Sequence, residues 1–107
     1  MIRHILLVRC DPGPTSDDDL IAQFAVIAGL RPRLPGLLAV TFGPSHSPED
    51  LERGYTHGLV ADFADRAALS RYAADATHRA AGARITELAA GGVDGLLVVD
   101  LELPPLT

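Results

Sequence analysis

Two side chains able to move a proton lie six residues apart in the segment "SRYAADATH": Tyr72 and His78. A phenol donates a hydrogen bond without ionising near neutral pH and an imidazole titrates there, so the pair suits general acid–base chemistry. On one unbroken helix, six residues amount to about 600° of rotation, which leaves the two roughly 120° apart around the axis. Convergence therefore requires a break between them. The segment offers Asp75 and the N-cap residue Thr77 as that break, so a first helix is expected over "RAALSRYAA" after an Asp65 cap and a second over "HRAAGARITELAA".

Three more polar groups sit where apolar ones are expected. In "YTHGLVADF", Tyr55, His57, Leu59, Ala61 and Phe63 share one face of a strand and Thr56, Gly58, Val60 and Asp62 the other, which puts His57 among apolar neighbours. His4 alternates with Leu6 and Val8 in "IRHILLVRC", and Asp100 alternates with Val98 in "LLVVDLEL". A carboxylate among core positions is costly unless paired, and an imidazole N–H is its natural partner. A carboxylate-held imidazole beside a tyrosine hydroxyl is a recurring acid–base arrangement.

Competing chemistries lack their signatures. There is no His-x-His or His-x-x-x-His pair and no cysteine cluster, so no metal site is expected. The serines carry no G-x-S-x-G elbow, and no G-x-G-x-x-G follows a strand. All nine basic residues are arginine, and the absence of lysine excludes an imine. No cofactor is expected. His46 sits among Ser and Pro and reads as solvated, Asp17, Asp18 and Asp19 as a dipole-favoured first helical turn, and Cys10 as a small hydrophobe at a strand end.

These residues need elements to hold them. Strands are expected over Ile2 to Cys10, Leu37 to Gly43, Tyr55 to Phe63 and Leu96 to Leu103. Leu20, Phe24, Ile27 and Leu30 recur at helical spacing, giving a helix from 17 to about 31 that starts on a capping-box-like Ser16/Asp19 pair. The order β-α-β-β-α-β is the ferredoxin-like α+β arrangement, a four-stranded antiparallel sheet with helices on one face. The first and last strands are apolar on both faces, which calls for a second cover. A homodimer with its sheets face to face, a dimeric α/β barrel, supplies it.

Composition sets the outer bounds. With 107 residues and 48% apolar content, residues 1–103 read as one domain followed by a short tail, 104–107. A net charge of −5 and scattered arginines give no electrostatic footprint for nucleic acid or an anionic membrane. Apolar runs such as "ILLV" are too short to span a bilayer, and one lone cysteine suits a reducing compartment, so a cytoplasmic, and by composition bacterial, protein is expected.

Taken in order, "IRHILLVRC", "LPGLLAVTFG", "ERGYTHGLVADF", "ALSRYAADATH" and "GLLVVDLEL" resemble the stress-responsive α/β-barrel, or Dabb, domain family over nearly the whole chain. The resemblance implies a dimeric α/β barrel and, by likeness to a polyketide-cyclase-like branch, closure of a linear poly-β-ketide by aldol condensation without cofactor. It implies His78 as the base, Asp100 as its orienting carboxylate, Tyr72 as the hydroxyl that polarises a carbonyl, and His57 and His4 as polar pocket groups. Leu59 and Phe24 are the apolar candidates for contact with a ligand. Family members usually carry proline two residues before this histidine, where this chain has Ala76. A non-catalytic stress-induced or ligand-carrying dimer, and a cofactor-free monooxygenase of the same architecture, are the alternative readings.

Overall fold

The computed structural model describes residues 1–104, so the last three residues of the expected tail lie outside the described residues. The chain runs β1 (Ile2–Val8), α1 (Ser16–Ala28), β2 (Leu37–Pro44), β3 (His57–Phe63), α2 (Arg66–Ala74), α3 (Ala76–Leu88), a 3-10 turn (Gly92–Gly95) and β4 (Leu96–Glu102). The four strands form one antiparallel sheet in the order β2-β3-β1-β4, which is the ferredoxin-like fold. Both β1 and β3 are central, with burial alternating along β3 as its period-2 pattern requires.

Several boundaries move inward for local reasons. β1 stops at Val8, and Cys10 keeps only an isolated bridge to Ala89. α1 ends at Ala28 because Gly29 and the turns after it take over well before Pro32. Its N-cap is Thr15 rather than Ser16, and the Thr15 hydroxyl donates to the Asp19 carboxylate at 3.0 Å. β3 begins at His57, not Tyr55. The cap of α3 is Asp75 rather than Thr77.

The core lies between the sheet and the helices. Leu6 and Val8 of β1 and Leu59, Ala61 and Phe63 of β3 meet Leu20, Phe24 and Ile27 of α1 and Ile85 of α3, all buried. Such side chains contribute roughly 1.5–3 kcal/mol each when removed from water, and this layer fixes the helices over β1 and β3. β4 is an edge strand that the helices leave partly bare, with Val98 50% exposed on their side.

The opposite face of the sheet is open. Ile5 and Leu7 of β1 face Val99 and Leu97 of β4 across the ladder, and Leu97, Val99 and Leu101 are each exposed by about two-fifths. Arg3 and Asp62, a directly opposed β1–β3 pair on that face, are joined by a 2.8 Å ion pair. At one end of it lies a groove of about 590 Å³ between the sheet and the 45–55 loop, bordered by Leu7, Val60, Leu97, Leu51 and Tyr55.

Candidate functional site

The chain does break between Tyr72 and His78. Asp75 is extended at φ −65° and ψ 132°, which ends α2 at Ala74 and starts α3 at Ala76. Two interactions enforce the break without proline. The Asp75 carboxylate accepts the backbone N–H of His78 at 3.0 Å, and the Arg33 guanidinium grips the same carboxylate with bonds of 2.8 and 3.0 Å. A bidentate arginine on a capping carboxylate fixes both its orientation and its charge.

The Arg33 bond, helped by the His78 N–H, holds the Asp75 carboxyl below its ordinary 3.8, at about 2. A carboxyl depressed in the folded state contributes stability that is complete above its unfolded value and is lost as pH falls through about 2. Unfolding titrations at successive pH values below about 5 are expected to show a steeper loss of stability for the parent than for Asp75→Asn. Equal slopes would mean that the Arg33–Asp75 pair does not persist in solution.

With the helix broken, the aromatic and imidazole rings gather. Tyr72 and His78 lie with ring centroids 3.9 Å apart at 36°. The His4 ring stands edge-on to Tyr72 at 5.7 Å, and Phe63 packs on Tyr72 at 4.9 Å from below. His4 Nδ1 is 2.6 Å from Asp100 Oδ1. An ionised carboxylate only accepts, so Nδ1 carries the proton and, in the neutral ring, Nε2 keeps its lone pair.

Asp100 thus holds His4 and not His78. The reason is register: β1 and β4 pair antiparallel with His4 directly opposite Asp100. His78 is held by its backbone at the α3 cap, and its buried Nδ1 has no well-aligned hydrogen bond among the described residues, with the Ala73 and Tyr72 carbonyls near the ring. Burial first, then the nearby His4, push the His78 imidazole below its ordinary 6.5 and favour the neutral ring. Burial, with the Asp100 charge second, pushes the Tyr72 phenol well above its ordinary range, so it stays protonated. The cluster therefore combines a neutral imidazole able to take a proton with a phenol able to donate a hydrogen bond.

Not every expected residue joins it. His57 lies opposite Val8, whereas His4 lies opposite Ala61, so four residues of strand, ~13 Å, separate them. His57 is buried beside Cys10 and Asp17, with its Nδ1 2.7 Å from Thr56 Oγ1. Phe24 and Leu59 are completely buried, and Phe24 packs against Phe42 at 5.7 Å, so both serve the core. His46 is exposed in its loop. The sequence reading missed Arg33, which follows α1 and carries no motif, and Phe63, whose place under Tyr72 is legible only once β3 and α2 are joined by the short Ala64–Asp65 turn.

The fold agrees with comparison to known proteins. The signature of the stress responsive A/B barrel domain (Dabb) family matches residues 2–103, and the chain belongs to that family. It is 28% identical over 101 residues to the stress-response A/B barrel domain-containing protein HS1 of Arabidopsis thaliana, covering 92% of this chain and 86% of that one. A dimeric ferredoxin-like protein of unknown function from Jannaschia sp. CCS1 superimposes with a TM-score of 0.90 at 35% identity over 95% of this chain and 98% of its own. A hydroxynitrile lyase from Passiflora edulis has the same fold, with a TM-score of 0.77 at 17% identity over 99% of this chain and 95% of its own. Among the described residues, no helix is long and apolar enough to cross a membrane.

Proposed function

We propose that the protein is a cytoplasmic homodimer that binds a small apolar or polyketide-like ligand at the Tyr72–His78–His4 cluster and acts on it as a cofactor-free, aldol-type cyclase. The observation that carries this reading is the buried, unpartnered Nδ1 of His78 beside a protonated phenol and a carboxylate-held imidazole. A buried polar atom without a partner is destabilising, and a ligand that supplies one recovers that loss. In the reaction, His78 takes the proton from a carbon flanked by two carbonyls. The resulting enolate attacks a distal carbonyl carbon of the same chain, forming the ring C–C bond. Tyr72 donates a hydrogen bond to the oxyanion that develops there, and the His78 imidazolium returns to it the proton it took, with His4 held beside the pair by Asp100.

Dimerisation through the open sheet face supports the same reading. Ile5, Leu7, Leu97, Val99 and Leu101 make that face apolar, and the Jannaschia relative is dimeric. Contiguous apolar surface of this kind marks an interface. The reaction is tested by following consumption of a linear poly-β-ketone. His78→Ala is expected to abolish turnover with the dimer intact, and Tyr72→Phe to slow it by about 10²- to 10⁴-fold. Turnover that survives His78→Ala would exclude the assignment.

A second reading, a non-catalytic ligand carrier, is favoured by one observation: the groove of about 590 Å³ lies between the open sheet face and the 45–55 loop, away from the closely packed Tyr72 cluster. Saturable binding of an apolar ligand by the parent with no turnover of any poly-β-ketone would establish it.

A further inference from the structure

We propose that Cys10, Asp17 and His57 form a binding site for a zinc-type divalent cation, with Thr56 as the group that orients it. The three residues come from different places: Cys10 just beyond β1, Asp17 in the first turn of α1, and His57 at the start of β3. Their ligand atoms lie within 4.8 Å of one another, and His57 Nε2 is 3.8 Å from Asp17 Oδ1. Tetrahedral zinc with bonds of about 2.0–2.3 Å needs ligand atoms roughly 3.3–3.8 Å apart, so closure of about 1 Å suffices. Asp17, 80% exposed, has the freedom to supply it by rotating its side chain.

The hydrogen bonds around Thr56 decide what His57 presents to this site. The Thr56 hydroxyl donates its single proton to the Val8 carbonyl at 3.2 Å and accepts the Cys10 backbone N–H at 3.0 Å. With the hydroxyl proton on the Val8 carbonyl, His57 Nδ1, 2.7 Å away, donates its N–H to the Thr56 oxygen, which is the tautomer that a cation at Nε2 requires. Nε2 of the neutral ring then carries the lone pair, on a side chain only 6% exposed, and it faces a carboxylate oxygen and a sulfur. A hydroxyl that fixes the far nitrogen of a metal-bound histidine is the usual outer support of such a site, and here the same hydroxyl also anchors the cysteine backbone.

The donor set selects the class of cation. Thiolate and imidazole favour zinc and its first-row neighbours over calcium or magnesium, which take oxygen ligands. Three protein ligands leave the fourth position to water or a small anion. The site is separate from the Tyr72–His78 cluster, so it stands whether or not that cluster is catalytic.

Cobalt(II) tests this directly, because a cobalt-bound thiolate gives a charge-transfer absorption and Cys10 is the chain's only cysteine. Full-length protein, kept reduced with a phosphine, is titrated with Co²⁺ and then with Zn²⁺ as competitor. The expected result is one Co²⁺ per chain with the charge-transfer band, displaced by Zn²⁺, and no band in Cys10→Ser. His57→Gln and Asp17→Asn are each expected to weaken Co²⁺ binding by at least about tenfold, Asp17→Asn with the band retained. Absence of the band in the parent would overturn the proposal, and so would unchanged affinity in Asp17→Asn, whose exposed side chain lets that variant fold regardless of the others.

Discussion

Replacing Phe24 with alanine is expected to lower the unfolding free energy by about 3–5 kcal/mol, a large part of the roughly 5–15 kcal/mol that holds a domain of this size. Phe24 is completely buried at the middle of α1, with Leu20 and Ile27 on the same helix face and the Phe42 ring at 5.7 Å. Removing it leaves a void at the centre of the layer that joins α1 to the sheet, and the β3 side chains beneath are too well buried to collapse into it. Urea unfolding of Phe24→Ala against the parent measures the effect. A loss under about 1 kcal/mol, accompanied by weaker ligand binding, would instead return Phe24 to the role of a ligand contact.

Gly36→Ala is expected to cost about 2–4 kcal/mol, although it adds a single methyl group. Gly36 has φ +85°, a conformation in which a Cβ crowds its own backbone, and a Cβ there would sit 2.6 Å from the Ala68 Cβ of α2. The turn cannot easily give way, because the Gly36 carbonyl accepts the Ala64 N–H at 2.8 Å and the Pro35 carbonyl accepts Arg71 at 3.0 Å. The smaller entropy of the unfolded alanine chain offsets only about 0.4–1 kcal/mol of the strain. Ala68 lies one helical turn before Tyr72, so the displaced helix carries the phenol with it. Nuclear magnetic resonance of the His78 ring protons, shielded by Tyr72 at 3.9 Å, reads that movement alongside the unfolding curve. An unchanged midpoint and unchanged ring shifts would show that the turn takes up the added methyl group without moving α2.

The strands and helices were legible because their periodicities are undisturbed. Leu20, Phe24 and Ile27 mark α1, and His57, Leu59, Ala61 and Phe63 mark β3, all of them buried as their spacing requires. What could not be read was pairing across distance. His4 and Asp100 are 96 residues apart in sequence, and only the antiparallel register of β1 with β4 makes them neighbours. The same blindness hid Arg33 as the clamp on Asp75, which does the work that proline was expected to do. His57 showed the limit of face assignment: the period-2 pattern gave its face correctly, but which end of the sheet it occupies depends on the partner strand. The cluster of Cys10, Asp17 and His57 has no motif at all, since chain reversals alone assemble it.

The position of β4 gives Asp100 a second consequence. β4, "LLVVDLE", is an outer strand whose free backbone edge could template another strand, and five of its seven residues are apolar. Such short apolar stretches seed fibrils unless a charge interrupts them, and Asp100 and Glu102 are the charges that do so here. Each is exposed and has a partner from a neighbouring element, His4 for one and Arg66 for the other. The carboxylate that sets the His4 tautomer is therefore also a guard against self-association of the edge, and selection for solubility would retain it even in a relative that had lost every ligand.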